Sequence, residues 1–121
     1  MSESSEILPL VQLKASKAGW RLFRNNVGVL MDSRGVPVRF GLANTSKQLN
    51  KSLKSGDLIG IRPVVITPDM VGKTIGQFVS RECKRPGWKF NPNDERDVAQ
   101  RHWLELINSL GGDARVTTGE L

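Results

Sequence analysis

Asp57, Glu82 and Lys84 are the residues whose types and spacing could cleave a phosphodiester bond. Glu82 and Lys84 stand in the run Phe78-Val79-Ser80-Arg81-Glu82-Cys83-Lys84, which reads as a strand. Side chains on a strand alternate faces, so Phe78, Ser80, Glu82 and Lys84 share one face, and Val79, Arg81 and Cys83 the other. Glu82 and Lys84 then stand roughly 6–7 Å apart along the strand. Asp57 precedes the apolar run Leu58-Ile59-Gly60-Ile61. If that run pairs beside the first strand, two carboxylates and one ammonium converge. The carboxylates repel each other, and a divalent cation relieves the repulsion; hard oxygen ligands suit Mg²⁺ or Mn²⁺. Such a cation, held by both carboxylates and the backbone carbonyl of Cys83, polarises a phosphate and acidifies a bound water. Lys84 would orient that water or neutralise charge developing on the phosphate. The plainer alternative is a surface strand whose Glu and Lys form a solvated pair worth at most about 1 kcal/mol.

These residues need elements to hold them. The spacing of Ile7, Val11, Ala15 and Ala18 predicts a helix over Ile7–Ala18, with Ser4 or Ser5 as N-cap, Pro9 in the first turn and Gly19 as the stop. Trp20–Asn25 reads as extended. Val27, Val29 and Met31, then Val36, Val38 and Phe40, alternate with their neighbours around the turn Asp32-Ser33-Arg34-Gly35, which predicts a hairpin with Pro37 at an edge or beside a bulge. Asn44–Gly56 reads as loop or short helix, and Leu58–Ile66 as an apolar strand interrupted at Arg62-Pro63. Asn93 is the expected cap of a helix with Asp94, Glu95 and Asp97 at its positive end and Ala99, Trp103, Leu106 and Leu110 as its apolar stripe. Gln100 falls with Leu104 and Ile107 on the flank of that stripe, from which its amide could reach the cleft or simply face solvent. Gly111-Gly112 ends the helix, and Ala114–Thr118 forms a last strand. The expected architecture is a single α/β domain over residues 1–121, in the order α-β-β-β-β-α-β.

Composition bounds the partners. The net charge is +6 and the isoelectric point about 10, which favours a polyanion, because each phosphate neutralised by Lys or Arg releases a counterion. One cysteine and one histidine cannot build a disulfide or a structural zinc site. No apolar run approaches the roughly 20 residues that span a bilayer, and the acidic, polar start is unlike a signal peptide. A cytoplasmic setting, the host cytoplasm if the chain is phage-encoded, is the expectation.

Asp57, then Glu82-Cys83-Lys84, then Gln100 resembles the PD-(D/E)xK nuclease pattern, and more closely its virus-type replication-repair nuclease (VRR-NUC) branch. The resemblance covers most of the chain. It includes the run from Gly19 to Gly28, Val38-Arg39-Phe40-Gly41-Leu42, Asp57-Leu58-Ile59-Gly60 and Gly111-Gly112-Asp113-Ala114. It implies a restriction-endonuclease-like mixed β-sheet flanked by helices, and Mg²⁺- or Mn²⁺-dependent cleavage of DNA by Asp57, Glu82, Lys84 and Gln100. Short stand-alone members occur in bacteriophages and bacteria, resemble Holliday-junction resolvases and act as homodimers. Gly56 stands where the family motif often has Pro, and Cys83 where it has an apolar residue; on the core side with Val79, Cys83 would serve as a small hydrophobe. The family's further acid, near the start of the first helix, best matches Glu6, with Glu3 as the other choice.

Arg24, Asn25, Asn26, Arg39, Arg85 and Lys89 are the candidate DNA contacts; for the first four, strand-end and hairpin chemistry is the competing role. Trp88 could stack on an exposed base or cover the core edge. Gly72-Lys73-Thr74 is not a phosphate-binding loop, because Thr67 stands where a glycine is required. His102 reads as a helix-surface residue. The expected activity is an endonuclease for branched DNA, with a flap or single-strand nuclease, or a non-catalytic nucleic-acid-binding module, as alternatives.

Overall fold

The computed structural model describes residues 3–121, with side chains from residue 6 onward. It is mixed α/β, with three α-helices and three two-stranded sheets among the described residues. The chain divides into two compact units, Met1–Gly60 and Ile61–Leu121.

The first unit begins with α1 (Glu3–Lys17), followed by β1 (Arg21–Arg24), β2 (Gly28–Met31), β3 (Pro37–Phe40), α2 (Lys47–Ser52) and β4 (Leu58–Ile61), whose last residue lies at the division between units. Helix α1 starts earlier than its apolar spacing predicts. Ser4 and Ser5 are therefore inside its first turn rather than at its cap, and Pro9 sits inside the helix. β2 and β3 form the expected antiparallel hairpin, in register Gly28↔Phe40 to Met31↔Pro37. Its turn is set by Asp32, whose Oδ1 accepts the backbone N–H groups of Arg34 and Val36, while Gly35 takes φ +77°. Those two N–H groups hold the Asp32 carboxyl below its ordinary range.

Two elements extend the expected order. Arg21–Arg24 becomes a strand because it has a partner, pairing with β4. Ser46 nucleates α2 by accepting the Leu49 N–H at 3.0 Å. β4 itself stops at Ile61 rather than running to Ile66: Pro63 has no N–H to give a ladder.

The second unit holds a short 3₁₀ turn (Pro68–Met70), β5 (Val79–Cys83), α3 (Glu95–Ser109) and β6 (Asp113–Thr117). β5 and β6 are parallel neighbours, in register Val79↔Asp113 to Cys83↔Thr117, with α3 as the crossover that parallel strands require. The cap of α3 is Asp94 instead of Asn93; its carboxylate accepts the N–H groups of Arg96 at 2.8 Å and Asp97 at 3.3 Å, which Asn93 lies one residue too early to reach. At the other end, Asn108 clamps β6 by donating to Ala114 O and accepting from Ala114 N, both at 2.8 Å. Gly112 permits the close return of the chain: a Cβ there would lie 2.5 Å from Ile107 Cγ2. Ile107 is fully buried and Ala114 is buried beside the same crossover.

The buried side of α3 runs through Asp97, Gln100, Leu104 and Ile107, steps of three and four residues that keep one helical face. Of the expected apolar stripe, Trp103, Leu106 and Leu110 are half-buried, as Gln100 and Leu104 are, and Ala99 is exposed.

Candidate active site

The alternation of strand β5 puts Ser80 and Glu82, with Lys84 just beyond, toward α3. Each makes a hydrogen bond to that helix. Trp103 Nε1 donates to Ser80 Oγ at 2.9 Å, Gln100 Nε2 donates to Glu82 Oε1 at 3.0 Å, and Lys84 Nζ donates to Gln100 Oε1 at 2.8 Å. Lys84 keeps the strand's ladder going, its N–H donating to Thr117 O at 2.9 Å, so its side chain leaves from an anchored backbone. The helix face thus meets a polar strand face, and the indole and amide of α3 supply the hydrogen bonds that a covered polar face needs.

Lys84 lies within a ring of acceptors. Its Nζ is 3.8 Å from Glu82 Oε1, 4.0 Å from Asp97 Oδ1 and 5.2 Å from the centroid of Trp88. The Lys84 side chain is 16 % exposed and that of Asp97 8 %, whereas Glu82 keeps 35 %, so Glu82 is the carboxylate open to an incoming group. Asp97 Oδ2 accepts the Asn91 N–H at 3.0 Å, which ties the loop before α3 to the site. With all three groups ionised, Glu82, Asp97 and Lys84 carry one net negative charge in a partly desolvated place, an arrangement that favours a cation.

Asp97 was expected only at the positive end of the helix dipole. Its part here follows from spacing: it is three residues before Gln100 and shares its face. Beside it, a recess of about 150 Å³ is lined by Trp88, Phe90, Asp97, Gln100, Arg101 and Val116. The Arg101 guanidinium carbon sits 3.3 Å from the Phe90 centroid.

The other side of β5 corrects the expectation for Cys83. Cys83 is exposed and Val79 is 55 % exposed, so neither packs as a core residue. Arg81, between them, is held by Asp113 at 2.9 Å and by Leu121 O at 2.6 Å. With Arg115, Arg81 keeps the Asp113 carboxyl below its ordinary range.

Asp57 lies in the first unit, exposed at the bend before β4. Asn25 places that bend: its N–H donates to Asp57 O at 2.9 Å, and its amide donates to Ser55 Oγ at 2.7 Å and Gly56 O at 2.9 Å. Asn25 Oδ1 also accepts from Leu42 N. Of the candidate DNA contacts, Asn25 is therefore a loop clamp. Arg39 is one too, donating to Asn44 O at 2.9 Å and to Asn44 Oδ1 at 2.7 Å, while buried Asn44 donates to Gly28 O and Phe40 O. Arg24, Asn26, Arg85 and Lys89 are exposed. Glu6 is exposed on α1, and the side chain of Glu3 is outside the described residues. His102 is exposed on α3, as expected of a helix-surface residue.

Among the described residues, no three His, Cys, Asp or Glu side chains gather in a metal-holding group. No helix among them is long and apolar enough to cross a membrane. Comparison with family models, with curated proteins and with solved structures finds no match to this chain.

Proposed function

We propose that this chain is a Mg²⁺- or Mn²⁺-dependent DNA endonuclease of the VRR-NUC branch of PD-(D/E)xK nucleases, a single restriction-endonuclease-like domain that cuts branched DNA in the manner of a Holliday-junction resolvase. The observation that carries the reading is the Gln100 amide joining Glu82 to Lys84. One side chain fixes the carboxylate and the ammonium at a set distance, as an acid that holds a cation and a base that meets a phosphate require.

The donor chemistry fits the ion. Glu82 offers a hard, partly exposed carboxylate in a cluster of net negative charge. The residue types and the family resemblance assign Asp57 and the Cys83 carbonyl as the further ligands, and the resemblance adds Glu6 as an additional acid. A bound divalent ion would supply Lewis acidity toward the phosphate and a more acidic water. The residues do the rest: Gln100 holds Glu82 in one orientation, Asp97 and Gln100 hold Lys84, and Lys84 presents positive charge to the phosphate oxygens.

Cutting both strands of a four-way junction takes two sites, so this reading includes a symmetric dimer of twice the 13.4 kDa chain, measurable by light scattering. The deciding experiment incubates the protein with labelled junction, flap, duplex and single-stranded DNA in Mn²⁺ or in EDTA. Metal-dependent cutting strongest on junctions supports the proposal. Binding without cutting in any metal makes the chain a binding module instead.

A further inference from the structure

The recess beside the amide bridge has a composition of its own. Its walls are two aromatic rings, an aliphatic side chain and a guanidinium. Its polar members are unequally engaged. Gln100 gives its oxygen to Lys84 and its nitrogen to Glu82, and Asp97 accepts from Asn91. Arg101 lies against Phe90 through its planar face, which leaves its N–H edge as the donor available to a ligand. At about 150 Å³, the space matches a cavity that takes one six-membered aromatic ring. A flat ring with carbonyl acceptors on its edge satisfies both the aromatic walls and the arginine.

We propose that this recess receives one unpaired pyrimidine base of a DNA strand, stacked between the Trp88 indole and the Phe90–Arg101 pair, with an Arg101 N–H meeting a base carbonyl. Base–aromatic and base–guanidinium stacking both suit an unstacked nucleotide, which a continuous duplex does not offer. Trp88 is shared with the cleavage machinery, because Lys84 lies over the same ring. A base in the recess therefore sets the adjoining phosphate beside Lys84, and cutting follows where a nucleotide is unpaired, as at a branch point or a flap. The position of the cut rests on the nuclease reading; the base binding does not.

The test separates the two. In EDTA, the protein is titrated with a short oligothymidylate, with a strand of the same length made of abasic sugars, and with duplex, following anisotropy and tryptophan emission. The oligothymidylate should bind about 5- to 150-fold more tightly than the abasic strand, the range that stacking of one base supplies. Trp88→Ala and Phe90→Leu, checked for folding by circular dichroism, should each erase that preference. Equal affinity of wild-type protein for thymidylate and abasic strands overturns the proposal without reference to any variant, as does a failure to bind either. A base preference in EDTA with no cleavage in Mn²⁺ leaves the recess standing and removes the nuclease. Cleavage that ignores an abasic substitution at every position near the cut keeps the nuclease and removes the recess.

Discussion

Lys84 Nζ donates to Gln100 Oε1 at 2.8 Å, and this contact fixes which way the amide points. An ammonium can only donate and a carboxylate only accept, so the oxygen must face Lys84 and the nitrogen Glu82. A single side chain thereby reads the charge of both neighbours, and any replacement that loses this polarity loses one of the two contacts.

Gln100→Glu should be worse than Gln100→Ala, because it sets a third carboxylate against Glu82 and leaves that group without its donor. Cleavage is expected to fall about 10–100-fold, the usual cost of removing a partner that orients a ligand. The half-saturating Mn²⁺ concentration should shift in both variants. A variant that merely loosens the fold would lower the melting temperature and leave the metal dependence alone; that pattern would remove Gln100 from the site.

Glu82→Gln, Asp57→Asn and Lys84→Ala should each abolish detectable cutting while junction binding in Ca²⁺ persists. For Lys84 the loss of one electrostatic donor is expected to cost about 10²–10³ in rate. Single-turnover assays with DNA held by Ca²⁺ and started with Mn²⁺ separate rate from affinity. Wild-type turnover in all three variants would sink the catalytic reading.

The parity of β5 was legible because alternation is a property of the extended backbone, and Ser80, Glu82 and Lys84 do share a face. Which face is covered was not. Both faces of Phe78–Lys84 mix polar and apolar side chains, so hydrophobicity favoured the wrong one, and Cys83 and Val79 proved exposed. The stripe on α3 was legible in part. Trp103, Leu106 and Leu110 are half-buried and Ala99 alone of that set is exposed, but the helix also turns Asp97 and Gln100 inward, where polar partners stand on β5. The hairpin was legible throughout, since the Asp32 side chain closes its own turn within four residues. Asn25 and Arg39 carry no mark in the sequence that separates a clamp from a DNA contact, because their partners, Ser55, Gly56 and Asn44, are chosen by the fold.

Asn108→Ala should destabilise the second unit by about 1–3 kcal/mol, because it leaves both the N–H and the C=O of Ala114 without their partner. Gly112→Ala should cost a similar amount by forcing its new methyl against Ile107. Urea titration followed by tryptophan emission measures both. Midpoints equal to wild type in both variants would show that β6 is not held to α3 as described.

Acid should weaken the β5–β6 edge through Asp113. Hydrogen bonds from Arg81 and Arg115 lower its folded-state pKa below the ordinary 3.8. A lowered carboxylate pKa contributes stability that is present above the ordinary value and lost as pH falls through the folded value. Asp113→Asn should therefore melt below wild type near pH 6, with the gap narrowing as the pH drops below about 3.8. A gap that stays constant down to about pH 2 would assign the loss to packing instead of charge.

Arg39 and Lys89 should part company under salt. Both are basic and both were candidate phosphate contacts, yet the Arg39 guanidinium is bound to the backbone and side chain of Asn44, and Lys89 is exposed beside Trp88 in the loop before α3. A phosphate contact releases a counterion, so losing one should reduce the slope of log affinity against log salt by about one unit, uniformly across DNA sequences. Lys89→Ala should show that reduction with an unchanged melting temperature. Arg39→Ala should keep the slope and lower the melting temperature, because it removes two hydrogen bonds that hold buried Asn44 and, through it, the Gly28 and Phe40 carbonyls of the hairpin. Each bond contributes about 0.5–1.5 kcal/mol, more where a charged donor is involved. Fluorescence anisotropy at several salt concentrations, run beside thermal melts of the same preparations, reads both quantities. A slope lost in Arg39→Ala and kept in Lys89→Ala would move the DNA from the Trp88 loop to the hairpin.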